Sequence, residues 1–454
     1  MSGYKHRIIS CWINDISSRP RMGKRWPMID LDDDLVRDYY AFIDMAADSG
    51  FNGLVIWGLF VNHQWPLKLE QCMPAERRLR VHRILSHADR RGLTIFTGLG
   101  VYSWGFEEII KAHPNLMQGD EVKAWQRIVP HNHDVMCFNQ PASREWMRRV
   151  IDFIVDQTDV PGFQLQPFDK GRCICPECSK MSDDEYFCAL NEDVAYYIKS
   201  RWPEKKVAVS GWGMYFSPTT NMDMVKKMCR SLDYISDITD SCLKLGEGFR
   251  QQMISQIPCA FGDAAGGSVT PPQTWDRLRW FLPHIRFNGQ SAQSLFTDGG
   301  QACEIFAGPL ENPGTEVSLR ALGAILENPL MSCEDAAEQA VERVYAPKTI
   351  DAKQTLANLI LQAEAAYFDH LAPSKRYTPM FEPLDSVFPN RPTYLIGRSD
   401  ESLNQYASTM KQIKTNIERL NPEIRMRGRL NDTLTAIDNT VSEVAQILSG
   451  VWRN

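Results

Sequence analysis

The sequence predicts a (β/α)8 barrel over residues 1–330 and a helical domain over residues 331–454. Three observations predict it. Short β-branched or apolar runs alternate with longer amphipathic segments, as in parallel strands joined by crossover helices. After about residue 330 the strand-like runs stop and helical spacing continues alone. Finally, Cys11-Trp12-Ile13-Asn14-Asp15 follows the first run, where a doubly wound nucleotide-binding sheet would carry a Gly-rich phosphate turn. A closed barrel, with insertions lengthening the usual ~250 residues, fits better than an open sheet.

The predicted strands, in order, are Arg7–Trp12, Gly53–Phe60, Leu93–Val101, Gly162–Phe168, Lys206–Tyr215, Asp233–Thr239, Ile257–Gly262 and Gln290–Thr297. Each is a short run of apolar residues bounded by polar or Gly-containing segments. Between them, Leu35–Ser49 and Arg144–Asp156 show the clearest helical period, and Met73–Arg91, Asp184–Arg201, Met222–Cys229, Thr274–His284 and Glu316–Glu327 complete most of the ring. Beyond the barrel, Asp335–Val344, Ile350–His370, Ser402–Leu420 and Leu430–Leu448 read as helices. A Pro-rich connector at about 372–397 separates the second from the third.

Composition narrows the function. Of 454 residues, 43% are hydrophobic and 23% charged, so a large core needs neither disulfides nor metal. Fifty basic against 56 acidic residues leave a net charge of −6, which argues against nucleic acid as a partner. No run approaches the ~20 apolar residues of a membrane span, and the N-terminal apolar run is too short for a signal peptide. The twelve scattered cysteines read as reduced thiols of a cytoplasmic protein. Nothing in the chain opposes a homo-oligomer.

Barrel enzymes build their sites from the loops after the strands. Following the predicted strands are His63, Trp104, Asp169 and Lys170, Trp212 and Tyr215, Asp237 and Asp240, Asp263, then Asp298 and Glu304, with Trp57 and Gln166 at strand ends. Carboxylates, amides and aromatic rings together suit a polyhydroxylated ligand, with rings stacking on Trp and polar groups binding hydroxyls. Paired carboxylates are also what glycoside cleavage requires. Asp169 is the first candidate, at the end of a strand whose alternation aligns Gln164 and Gln166. Beside Lys170 it is expected to stay ionised, which suits a nucleophile or base. Asp240 is then the acid, with Asp263 and Glu304 as further candidates. All four are expected to open onto one cavity at the strand C-termini. An Asp can equally cap the next helix.

Cys173-Ile174-Cys175-Pro176-Glu177-Cys178, with Cys188 ten residues on, has spacing for a structural zinc site, and equally for packed thiols without metal. His131-Asn132-His133-Asp134 reads as a substrate-contacting loop through His131, in preference to a metal centre. Gly262-Asp263-Ala264-Ala265-Gly266-Gly267 lacks the Lys of a phosphate loop.

Strand four running into an acidic residue and Cys-x-Cys-x2-Cys resembles a group of barrel proteins related to the α-glucuronidases and β-hexosaminidases. Cys137-Phe138-Asn139-Gln140-Pro141 is similar to their Cys-Pro-Asn-x-Pro segment. Asp298-Gly299-Gly300, Glu304, Asn312-Pro313 and Val344-Tyr345-Ala346-Pro347 are similar to the end of their barrel and the start of their helical domain. The resemblance covers about residues 50–350 and implies a glycosidase-like barrel for an acidic or modified sugar. Hexosaminidases carry Asp-Glu after strand four, whereas Asp169-Lys170 stands here, so neither their substrate-assisted mechanism nor their substrate transfers. Two Asp after strands four and six look more like the α-galactosidase arrangement. The expectation is a glycoside hydrolase acting on an oligosaccharide or glycoside without a required cofactor. Its rivals are a polysaccharide lyase or sugar dehydratase on the same fold, and a non-catalytic sugar-binding barrel.

Overall fold

The computed structural model describes residues 3–13, 16, 31–61, 64–103, 105–116, 122–123, 135–167, 171–210, 216–238, 247–265, 280–306, 308, 310–371 and 399–449. Eight parallel strands close into a barrel: β1 His6–Trp12, β2 Gly53–Trp57, β3 Thr94–Gly100, β4 Gly162–Gln166, β5 Lys206–Ser210, β6 Tyr234–Ile238, β7 Ala260–Ala265 and β8 Ala302–Phe306. Each pairs with its sequence neighbours, and β1 closes the ring on β8, with Ile8 opposite both Gly53 and Glu304.

Strand alternation divides the apolar residues in two. Ile8, Val55, Trp57, Phe96, Ala208, Tyr234 and Ala302 form one cluster inside the barrel. The intervening residues, such as Ile9, Leu54, Ile95, Phe163, Val207 and Ile305, pack outward on the helices. Those helices are α1 Asp33–Asp48, α2 Ala75–Arg90, α3 Glu107–Ala112, α4 Pro141–Thr158, α5 Asp183–Arg201, α6 Met222–Cys229, α7 Glu247–Ile254, α8 Ile285–Thr297 and α9 Pro313–Glu327. Their starts are written locally. Asp32 accepts from the Leu35 N–H at α1, Ser182 and Glu185 form a reciprocal capping box at α5, and Asn312-Pro313 opens α9.

Two expectations fail at the end of the barrel. The segment read as an eighth strand, Gln290–Thr297, is the second half of α8, and the strand is Ala302–Phe306. The helix expected over Thr274–His284 is absent from its described part, residues 280–284. The seventh strand also runs a few residues later than expected. The reason lies in α8 itself, whose buried Ile285, Asn288, Ala292 and Leu295 recur at helical spacing.

Beyond the barrel come α10 Cys333–Tyr345, α11 Ile350–His370, α12 Asp400–Arg419 and α13 Arg427–Leu448. The Pro-rich connector lies outside the described residues. These helices share a second core with Trp280, Phe281 and Leu282. The Trp280 indole donates to Glu443 at 2.7 Å, and the Phe281 N–H donates to Thr440 at 3.1 Å. Helix α9 serves both cores: Leu319, Leu322 and Leu326 face the barrel, while Val317, Ala321 and Ile325 face the helical domain. Among the described residues, no helix is long and apolar enough to cross a membrane.

Candidate functional site

Parallel closure brings the C-terminal ends of all eight strands to one mouth. Trp12 and Trp57 end neighbouring strands in register, their rings 5.5 Å apart and inclined at 44°. A Cβ on Gly98 would stand 2.2 Å from the Trp57 ring, so the indole can lie across β3 only because that position has no side chain. Gln166 and Ser210 end β4 and β5, buried but polar. The mouth therefore combines aromatic faces with amide and hydroxyl groups.

Below it lies a polar centre. Glu304, in the middle of β8, is 1% exposed. Its Oε2 accepts from the Gln164 side-chain amide and from the Ser236 hydroxyl, the latter at 3.3 Å. Its Oε1 makes no hydrogen bond among the described residues. Burial pushes the Glu304 carboxyl up to about 7, against the opposing pull of the Ser10, Gln164 and Ser236 side chains. A carboxyl of this kind is neutral or half-neutral near pH 7 and can donate a hydrogen bond. Tyr234, two residues before Ser236 on β6, is fully buried, and burial plus the Glu304 charge push its phenol well up. At the opposite end of the barrel the His6 ring contacts Tyr234 at 5.2 Å, and burial pulls its pKa down to about 4.

The loops after β3 and β4 meet beside the mouth. Residues 122–123 pair antiparallel with 172–173. Tyr102 takes a left-handed backbone conformation (φ 58°), and its hydroxyl donates to Asp193 at 2.7 Å while its carbonyl accepts from the Met136 N–H. Such backbone strain persists only where neighbouring structure holds it. Four buried thiols, Cys137, Cys173, Cys175 and Cys178, gather there with their sulfurs within 4.8 Å of one another.

No protein-family model and no curated protein matches the sequence. Solved structures do match the fold. An O-GlcNAc hydrolase of Thermobaculum terrenum aligns with a TM-score of 0.50 at 10% identity, over 99% of this chain and 85% of that one. An exo-β-N-acetylglucosaminidase of Vibrio harveyi gives 0.49 at 11% identity, over 74% of this chain and 56% of its own. A β-N-acetylhexosaminidase of Bacteroides fragilis gives 0.45 at 13% identity, over 75% and 70%. The barrel is one that glycoside hydrolases use.

Of the expected site residues, the described ones take the following places in that barrel. Trp57 and Gln166 stand at the mouth as expected from strand ends. Glu304 lies within β8, not in a loop after it, because the strand begins twelve residues later than expected. Asp263 likewise lies within β7, paired with Asp237 and Cys303. Asp298 precedes β8 and caps the C-terminus of α8, at the end of the barrel away from the mouth, where it pairs with Arg250. Cys188 stands apart from the thiol cluster, on α5, and Cys137 takes the fourth place. His63, Trp104, His131, Asp169, Lys170, Trp212, Tyr215 and Asp240 lie outside the described residues. Sequence reasoning did not single out Trp12, Ser10, Ser236 or Tyr234. Strand alternation, with Ser10 and Trp12 two apart on β1 and Tyr234 and Ser236 two apart on β6, was the available signal.

Proposed function

We propose that the protein is a glycoside hydrolase acting on an oligosaccharide or glycoside. Asp169 is its nucleophile or base and Asp240 its acid; Asp263 and Glu304 are held in reserve. The observation that carries this reading is the barrel mouth, where the half-buried Trp12, backed by the buried Trp57, stands with Gln166 above the Glu304–Gln164–Ser236 centre. Aromatic faces stack on the apolar side of a pyranose, and amides and hydroxyls bind its ring of hydroxyl groups. Asp169 and Asp240 stand three and two residues beyond the ends of β4 and β6 in the sequence, where a barrel enzyme carries its reacting groups. Two carboxylates suffice for the chemistry, one protonating the leaving oxygen and one attacking the anomeric carbon or activating water, with no cofactor. The eleven cysteine thiols among the described residues suit a cytoplasmic location.

Acidic and modified glycosides, uronides among them, come first among substrates to try, with N-acetylglucosaminides alongside for comparison. A panel of aryl glycosides and oligosaccharides, read by product chromatography, is the test. Saturated reducing sugars support hydrolysis, whereas unsaturated products would assign a lyase. On the substrate found, Asp169→Asn should lose at least ~10³-fold in turnover, about 4 kcal/mol of barrier, while folding normally. Asn keeps the volume and hydrogen-bonding shape but cannot ionise. Retention of more than about a tenth of wild-type turnover would move the assignment to another carboxylate.

A further inference from the structure

We propose that Cys137, Cys173, Cys175 and Cys178 bind one structural Zn2+ that fastens the loop after β3 to the loop after β4. Three of the ligands come from the Cys-x-Cys-x2-Cys segment that follows β4. The fourth comes from the far side of the preceding α/β unit, on the short segment that leads into α4.

The geometry favours a metal over a disulfide or loose packing. Cys137 Sγ lies 3.8 Å from Cys175 Sγ and 3.7 Å from Cys178 Sγ. A tetrahedral zinc site with Zn–S bonds of about 2.3 Å has S–S edges of about 3.8 Å. A disulfide would need a separation of about 2.05 Å. All four sulfurs are buried, with residue exposures between 0 and 4%. Two donors also point at them: the Cys178 N–H at Cys175 Sγ (3.5 Å) and the Asn139 side-chain amide at Cys178 Sγ (3.3 Å). N–H donors aimed at sulfur stabilise thiolates, as outer partners of a metal site do. Soft thiolates in tetrahedral array select zinc over the hard cations. Four protein ligands leave no open position, so the ion is structural and not catalytic.

Both arms of the clamp are anchored independently of the metal. On one arm, the Cys137 N–H donates to the Leu116 carbonyl at 2.9 Å and the Met136 N–H to the Tyr102 carbonyl at 2.8 Å. On the other, the buried Arg172 reaches Asp183 at 2.7 Å and the Cys178 carbonyl at 2.5 Å, with its guanidinium 4.3 Å from the Tyr186 ring centre. The ion would join two segments that already meet, and the chain between β4 and Cys173 carries Asp169. The proposal does not depend on the glycosidase reading, because its readouts are metal content and coordination.

The full chain, produced with zinc under reducing conditions and desalted, should contain about one equivalent of zinc by elemental analysis. X-ray absorption should show four sulfurs at about 2.3 Å. Cys137→Ser should lose most of the metal, whereas Cys188→Ser should keep it. Should Cys137→Ser fail to fold, the stoichiometry and sulfur shell of the wild type decide the matter alone. Less than about a tenth of an equivalent in the wild type, iron in place of zinc, a shell of nitrogen and oxygen, or equal loss in Cys188→Ser would each overturn the assignment.

Discussion

The environment of Glu304 opposes its ordinary charge. Its carboxyl titrates near 4.5 in an unfolded chain and is pushed up to about 7 by burial in the folded one. The folded state therefore holds the proton more tightly. Glu304 imposes no ionisation penalty below about pH 4.5, and the penalty grows as pH rises through about 7. At 1.36 kcal/mol per unit this amounts to about 3 kcal/mol above pH 8. Glu364, which accepts the Arg286 and Phe287 N–H groups at the start of α8, shifts up to about 7 for the same reason and adds to the trend. The Glu304→Gln protein should thus be more stable than wild type at pH 8, by about 2–3 kcal/mol, and nearly equal to it at pH 5. The amide mimics the neutral acid and still accepts from Gln164 and Ser236. Urea titrations at the two pH values check this; a variant less stable at pH 8 would show that the ionised form is the one the barrel holds. Sequence pattern could mark Glu304 as a candidate but could not place it. A Glu inside a five-residue apolar strand is tolerated only because β4 and β6 bring an amide and a hydroxyl to it across the barrel.

Arg250 and Asp298 join two elements, α7 and the end of α8. Their side chains are 4% and 11% exposed, and Arg250 also donates to Ser294 at 2.8 Å. Removing one member of such a pair leaves the other charge buried and unsatisfied, at about 3–5 kcal/mol. Asp298→Ala should therefore lower the melting temperature markedly while leaving substrate KM unchanged, as thermal unfolding and steady-state kinetics would report. A changed KM with an unchanged melting temperature would return Asp298 to the substrate site. The misreading of this residue came with the misreading of α8. Gln290–Thr297 is a short partly apolar run bounded by Gly289 and Asp298-Gly299-Gly300, which resembles a strand in length, but Ala292, Leu295 and Phe296 fall at helical spacing and continue the face that begins at Ile285. Gly289 completes the reason. A Cβ there would lie 2.7 Å from Ile325 and 2.8 Å from the Cys333 sulfur, so α8 packs tightly on α9 and α10 at a residue that local propensity disfavours in helices.

The two cores are coupled through α9 and through a polar seam. Glu316 of α9 bonds Arg320 at 2.8 Å and Arg429 of α13 at 2.5 Å, with exposures of 14–20%. With one helix contributing apolar residues to both cores, neither region can open without exposing the other. Calorimetry should accordingly show one unfolding transition, with calorimetric and van't Hoff enthalpies in agreement. Glu443→Gln, which weakens the Trp280 anchor, should shift that transition as a whole without splitting it. Two resolved transitions would show that the helical domain unfolds on its own.

Local pattern suffices for the class of fold, the approximate positions of seven strands and ten of the thirteen described helices, α3, α7 and α8 being the exceptions, because hydrophobic period and capping residues are local properties. It also determined that a Cys-rich turn follows β4. Tertiary structure alone decided the eighth strand, the fourth member of the thiol cluster and the grouping of Glu304 with Gln164 and Ser236. Cys137 and Cys178 are 41 residues apart, and Gln164 and Glu304 140 apart. No local pattern encodes such a meeting, which arises from the closure of a ring whose strands are brought together by packing around the whole barrel.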